Sequence, residues 1–277
     1  MSVRPATVAG SYYPADASEI RTLLSQLISS EERKINKKLT PKHIIGGIVP
    51  HAGYNYSAKE AIHFFNFLKK SSSQIETFII LNPSHAGAKY EVSFDVHEVW
   101  NTPLGNVNLD IDFMEFVNIP KSKDSQESEH SAEVIVPYLQ FFLDYDFKIV
   151  PITMRKQSYR QARELAEKIY KANQVKNRNI AVIASTDFSH YERPEVAFYN
   201  DNLVINRIIN NSIRGLYDTI NENKISVCGY GPIMTLMFYA RMINQFYNVE
   251  ILARGNSSKK YDEEELVVDY VSALFYY

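Results

Sequence analysis

The sequence predicts a three-layer αβα domain with a largely parallel central sheet. Three observations lead there. Short, nearly all-apolar runs recur along the chain, stretches with helical spacing separate them, and several of the runs end in loops that carry histidine. Apolar runs this short suit strands buried on both faces, as in parallel sheets covered by helices. Their alternation with helical segments gives the doubly wound α/β arrangement.

The chain opens with an irregular arm over 4–14, punctuated by Pro5, Gly10 and Pro14. Asp16 or Ser18 caps a helix over 19–28, in which Ile20, Leu23, Leu24 and Leu27 share a face. A charged, polar link over 29–42 follows. Strands are predicted at 44–49, 78–81, 147–152 and 180–184, with a last one at 266–273. Helices are predicted at 58–70, 131–143, 159–172, 198–210, 215–223 and 232–247. The polar stretch 121–129 reads as a surface loop. With no repeat of solenoid period and no linker, one domain over 1–277 is expected.

Composition excludes several classes. A formal net charge of -2 leaves no broad electrostatic footprint for nucleic acid or an anionic membrane. No apolar run reaches the roughly 18 residues that a membrane helix needs. A single cysteine, Cys228, forbids an intrachain disulfide, and residues 1–6 hold no apolar signal core, so a cytoplasmic protein is expected. Nothing in the sequence specifies an oligomeric state.

Ligands of open α/β sheets gather at the carboxyl ends of the strands. Three of the seven histidines fall just after a predicted strand. His51 follows the first run in Pro50-His51-Ala52-Gly53-Tyr54, where Gly53 leaves room for a close backbone approach. His85 follows the second in Asn82-Pro83-Ser84-His85. Asp187 and His190 share the loop after the fourth. There Asp187 either orients an imidazole or caps local backbone, and His190 is a ligand or a general base. Cys228 precedes a helix that Pro232 opens, a setting that favours thiolate. Glu129, His130 and Glu133 stand at a capping-box-like helix start and can support the pocket. Tyr54 and Ser84 are expected in its wall. His43, His63 and His97 lack such context and read as structural or surface residues.

Taken together, these segments resemble the Memo family, named for a mediator of cell motility. The likeness runs through Arg4-Pro5-Ala6, Val8-Ala9-Gly10, Tyr13-Pro14, Pro50-His51-Ala52-Gly53-Tyr54, Pro83-Ser84-His85, Glu129-His130-Ser131 with Glu133, residues 185–190, and Cys228-Gly229 with Gly231-Pro232. It implies a fold similar to the class III extradiol dioxygenases, non-haem iron enzymes that open catechol rings. By that resemblance His51 and His85 match the histidine ligands and His190 the acid/base. Cys228 stands where those enzymes carry a carboxylate ligand. Thiolate is softer than carboxylate and shifts preference from Fe(II) toward copper or zinc.

The resemblance implies a metal-dependent redox enzyme holding Fe(II) or Cu, acting on a small aromatic molecule. Two further readings accompany it. One is a module without turnover that binds an acidic aromatic peptide or small aromatic ligand, as the animal family is linked to phosphotyrosine-bearing receptor tails. The other is a zinc hydrolase, since two His and one Cys also suit catalytic Zn.

Overall fold

The computed structural model describes residues 1–35, 39, 43–71, 74–258 and 266–277. Its strands are β1 (Val3–Arg4), β2 (Ile44–Val49), β3 (Thr77–Pro83), β4 (Val92–Phe94), β5 (Val99–Thr102), β6 (Gly105–Asn108), β7 (Lys148–Met154), β8 (Ile180–Ser185), β9 (His190–Glu192), β10 (Asn248–Asn256) and β11 (Val267–Tyr276). The helices are α1 (Ala17–Glu31), α2 (Tyr54–Lys70), α3 (Ile111–Val117), α4 (Val136–Phe142), α5 (Tyr159–Lys176), α6 (Pro194–Ile209), α7 (Ile213–Asn223) and α8 (Tyr230–Ile243).

The main sheet runs β10-β11-β2-β8-β3-β7-β4, with β9 paired to β11. Its centre, β2-β8-β3-β7, is parallel. Antiparallel strands flank that centre, β11 and β10 on one side and β4 on the other. All of β2, β3 and β8 is buried, as their unbroken apolar runs require. Helix α2, with α1 and α4 against it, forms one outer layer, and α5, α8, α3 and α7 form the other. A second sheet, β1-β5-β6, holds the amino-terminal strand.

Local chemistry explains the boundaries. Asp16 is the residue that caps α1, accepting from the amides of Ser18 and Glu19. Ser158 caps α5, which ends at Asn177 in the left-handed conformation. Gly46 is fixed by crowding: a Cβ there would lie 1.9 Å from the Val182 carbonyl oxygen. Gly53 is less constrained: a Cβ there would lie 3.4 Å from the carbonyl oxygen of Tyr12, whose backbone comes close here and accepts from the Tyr54 amide at 2.7 Å.

Other departures have physical reasons. Arg4 does not sit in an irregular arm: it pairs in β1, is buried, stacks on Trp100 and holds Glu133 at 2.5 Å. The stretch 121–129 is at the surface only in part: Lys121, Lys123, Asp124, Glu127 and Ser128 are exposed, while Ser122, Ser125, Gln126 and Glu129 are buried. Its polar groups find partners inside: Gln126 donates to Asn82 and Thr153, and Ser125 to the Phe94 carbonyl. The helix expected over 131–143 begins as a 3-10 turn at Glu133–Ile135 and becomes α4 only at Val136. Its capping box is not formed, because the Glu133 carboxylate instead accepts from Arg4, Thr7, Val8 and Tyr13. Residues 29–31 of the polar link extend α1, while 36–38 and 40–42 lie outside the described residues.

Candidate metal centre

Because β2, β8 and β3 are neighbours in one parallel array, the loops at their carboxyl ends converge. They bring His51, Asp187 and His85 together, and Cys228 reaches in from the turn before α8. The segment before the 3-10 turn adds Glu129 and His130. Ring centroids of the three histidines stand 5.1 Å (His51–His85), 5.3 Å (His51–His130) and 4.7 Å (His85–His130) apart. Cys228 Sγ lies 3.3 Å from His51 Nε2. One ligand atom from each of His51, His85 and Cys228 lies within 4.8 Å of the others, and the same holds for His85, Glu129 and His130.

Hydrogen bonding decides which ring atoms remain available. Ser185 Oγ donates its only proton to the Ser131 carbonyl, at 2.6 Å. It must therefore accept from His51 Nδ1, at 3.0 Å, which leaves a lone pair on His51 Nε2 facing the sulfur. His85 Nδ1 donates to Glu129 Oε1 at 2.9 Å, which frees Nε2 in the same way. The Glu129 carboxylate is already surrounded, accepting also from the amides of His85, Ala86 and Ser131 and from the Ser131 hydroxyl. Burial pushes its pKa up, but bonds from His85 and Ser131 outweigh that and hold it well below the ordinary carboxylate range. Glu129 thus orients His85, and of the two groups His51, His85 and Cys228 is the one with open donor atoms.

Cys228 is tightly framed. The Asp187 amide donates to its sulfur at 3.2 Å. Gln157 bridges the Cys228 carbonyl (2.8 Å) and the Gly231 amide (2.7 Å), and Gly229 donates to Thr186 Oγ1 at 2.8 Å. Gly229 must be glycine, because a Cβ would fall 2.5 Å from Thr186 Cβ and 2.7 Å from the Ser185 carbonyl oxygen. Burial, then the nearby Asp187 carboxylate, push the thiol pKa well up. The expected helix-terminus preference for thiolate does not prevail, since α8 starts two residues later, at Tyr230. A bound cation is the element that would reverse this balance.

Asp187 takes the capping alternative: its Oδ1 accepts from the amides of His51 (2.8 Å) and Ala52 (3.3 Å). Its Oδ2 stands 3.9 Å from His51 Nε2, too far to orient that ring. Burial raises its pKa to about 6 despite those bonds. His190 lies on β9, where its Nδ1 donates to the Ser226 carbonyl at 2.8 Å and leaves Nε2 as an acceptor. It acts electrostatically on both His51 and Asp187. His130 is half-buried, and that burial followed by the charge of His85 lowers its pKa to about 4 against the pull of Glu129.

Tyr54 is buried in the core, its ring stacked on Tyr138 and its hydroxyl donating to the Val134 carbonyl. The aromatic ring at the site is Tyr12, 4.4 Å from His130. Ser84 is half-buried at the end of β3. Side-chain exposure rises from 2% at His51 through 15% at His130 to 35% at His85, so the centre opens on the His85 side. Sequence reasoning did not single out Tyr12, Ser185, Ser226 or Gln157. For Ser185 and Ser226 a signal existed, a hydroxyl residue close in sequence to a chemical one. For Gln157, far from Cys228 in the chain, none did. His63 faces Glu31 and His97 bonds Asp95, both away from this cluster.

The site residues fall within the span that matches the model of the Memo-like protein family, residues 4–274. A MEMO1 family protein of Methanosarcina mazei is 32% identical over 99% of both chains. Those of Sulfolobus acidocaldarius and Saccharolobus solfataricus are 34% and 35% identical, over 99% and 97% of both chains. Among solved structures, an uncharacterised Escherichia coli K12 protein shares the fold at a TM-score of 0.51 and 11% identity, covering 77% of this chain and 91% of its own. By family model and by relatives along its whole length, this chain belongs to the Memo family.

Proposed function

We propose that this chain is a metal-dependent redox enzyme holding Fe(II) or copper on His51, His85 and Cys228 and acting on a small aromatic molecule. The observation that carries the reading is the hydrogen-bond closure around the centre. Each ligand histidine has its Nδ1 engaged by a dedicated partner, Ser185 or Glu129, which leaves Nε2 as its free donor atom, and one ring nitrogen of each lies within 4.8 Å of Cys228 Sγ. Imidazoles arranged in this way are typical of metal sites. His51 Nε2 and Cys228 Sγ, 3.3 Å apart, are close enough for one ion to take both as ligands. Two imidazoles and a thiolate suit copper or zinc by softness and remain compatible with Fe(II). Iron or copper held there would supply a redox-active Lewis acid. The chain's own residues do the rest. His190 Nε2 is available to take a proton from a phenolic group, its Nδ1 proton being fixed on Ser226. Tyr12 offers an aromatic face beside the open side.

Metal content of protein purified without an affinity tag tests the ligand set. Loss of the metal is expected in His51→Ala and Cys228→Ser, and content unaffected by both substitutions would sink the assignment. Oxygen uptake with catechols and other phenols, with Fe(II) or copper supplied, then tests turnover. His190→Ala is expected to abolish uptake while keeping the metal. Metal retained with no uptake on any phenol turns the assignment toward a binding module for an acidic aromatic peptide. Ester or amide hydrolysis with added zinc turns it toward a hydrolase.

A further inference from the structure

Behind the loop that carries Asp187 and His190, away from the proposed metal ligands, the fold buries two more carboxylates together. Asp201 of α6 is fully buried and Asp269 of β11 nearly so. One cation serves both: Arg254 of β10 places Nη2 3.5 Å from Asp201 Oδ2 and 3.3 Å from Asp269 Oδ2. Both separations exceed the 2.7–2.9 Å of strong charge-assisted bonds. The same guanidinium also donates to Asn202 Oδ1 at 2.9 Å and to the Phe198 carbonyl at 3.1 Å. Arg254 and Asp269 are the charged groups that face Asp201 among the described residues, and the loop before β9 offers only Ser189. Asp269 Oδ1 is buried and has no hydrogen-bond partner among the described residues.

Two buried anions against one shared, loosely placed cation leave an uncompensated charge, which is costly in a low-dielectric interior. A proton removes it, and the orphaned Asp269 oxygen is the acceptor that such a proton would satisfy. We propose that Asp201 and Asp269 share one proton at neutral pH, and that the pair acts as a positioning element for the Asp187–His190 loop. Burial, then the charge and hydrogen bond of Asp269, hold the pKa of Asp201 near about 8, and burial raises that of Asp269 as well.

The coupling to the loop is direct. Asp201 Oδ1 accepts from both the amide (3.2 Å) and the hydroxyl (2.6 Å) of Ser189. The Asp269 backbone exchanges hydrogen bonds with the Phe188 amide (2.8 Å) and the Ser189 carbonyl (2.9 Å). Ser189 therefore sits between the pair and His190, the next residue. Loss of the shared proton puts a second negative charge into this pocket, strengthens the bonds that Ser189 donates to Asp201 and sets the two carboxylates against each other, which shifts the loop. That the loop matters for proton transfer rests on the function proposed above; the shared proton does not.

The experiment is a pH titration of the full chain, metal-free, by NMR with carboxyl-labelled aspartate and backbone amides. One carboxyl of the pair is expected to titrate between about pH 7 and 9, with Ser189 and His190 amide signals moving at the same inflection. In Asp201→Asn the amide group supplies a permanent donor toward Asp269 and an acceptor toward Ser189. The inflection should vanish there, and both amides should keep their low-pH positions up to pH 9. Ionisation of both carboxyls below pH 6, or an unchanged Ser189 inflection in Asp201→Asn, overturns the proposal. If that variant does not fold, the wild-type carboxyl titration alone decides. Because no readout needs metal or turnover, failure of the enzyme assays and failure of this proposal are separate outcomes.

Discussion

With its one proton given to the Ser131 carbonyl, the Ser185 hydroxyl can only accept from His51, and that constraint makes His51 Nε2 a lone-pair donor. Removing the hydroxyl releases the ring to flip or change tautomer. Ser185→Ala is expected to weaken metal binding by roughly 10–100-fold, the usual range for losing such a partner, while the fold persists. Chelator competition on the metal-loaded protein measures it, and undiminished affinity would show that the tautomer is set elsewhere. His51, His85 and His190 were legible in the sequence because strand ends announce themselves through apolar runs followed by Pro or Ser, and Cys228 because glycines and Pro232 mark the helix start beside it. Their partners were less so. The role of Glu129 toward His85 depends on two segments meeting, and the presence of Tyr12 rather than Tyr54 at His130 depends on which face of each segment turns inward.

At the scale of elements, the turn between Ser226 and α8 shows how backbone packing sets the position of one sulfur. Gly229 presses on the end of β8, where an added Cβ meets Thr186 Cβ and the Ser185 carbonyl. The latter is backbone and cannot swing aside, so Gly229→Ala must move the turn and Cys228 with it. A cost of about 1–3 kcal/mol in stability is expected, in the range of overpacked cores, with a larger proportional loss of metal affinity than of stability. Calorimetry paired with metal titration separates the two; equal metal affinity in a destabilised variant would mean that the sulfur keeps its place. The same scale explains which elements the sequence revealed. The central strands β2, β3 and β8 are buried on both faces and show as continuous apolar runs. Strands β4, β5 and β6 are only three or four residues long, and the partly buried β10 carries polar residues throughout, so no periodic run marks them. The loop at 121–129 was legible only in part for the opposite reason: Gln126 is polar yet inside, because it bonds Asn82 of β3 and Thr153 of β7.

For the whole molecule, burial of titratable groups on both sides of neutrality sets how stability responds to pH. Burial lowers the pKa of His51, His63 and His130, the last to about 4, so these rings fold uncharged. Their contribution is complete above the ordinary histidine value of about 6.5 and is lost as pH falls below it. The acids act in the reverse sense. Burial raises Glu60 to about 7 and Asp201 to about 8, so their contribution is complete below the ordinary values of 4.5 and 3.8 and is lost as pH rises from there through the raised ones. Between about pH 6.5 and 8 only the acids are changing, and stability of the metal-free protein should fall by at most about 1.4 kcal/mol per pH unit for each. Glu60 isolates one share of that fall. Its Oε2 is buried without a partner among the described residues and its Oε1 packs against Gly255, so burial outweighs the pull of Lys59 and Lys34 on the ionised carboxylate. Glu60→Gln replaces it with a group that cannot ionise. The variant should melt close to wild type at pH 5 and several degrees higher at pH 8, at roughly 2 °C for each kcal/mol in a chain of this size. Parallel melting curves of the two proteins across that range test it, since an ionised Glu60 that is stabilised in the fold would instead make the variant the weaker of the two at pH 8.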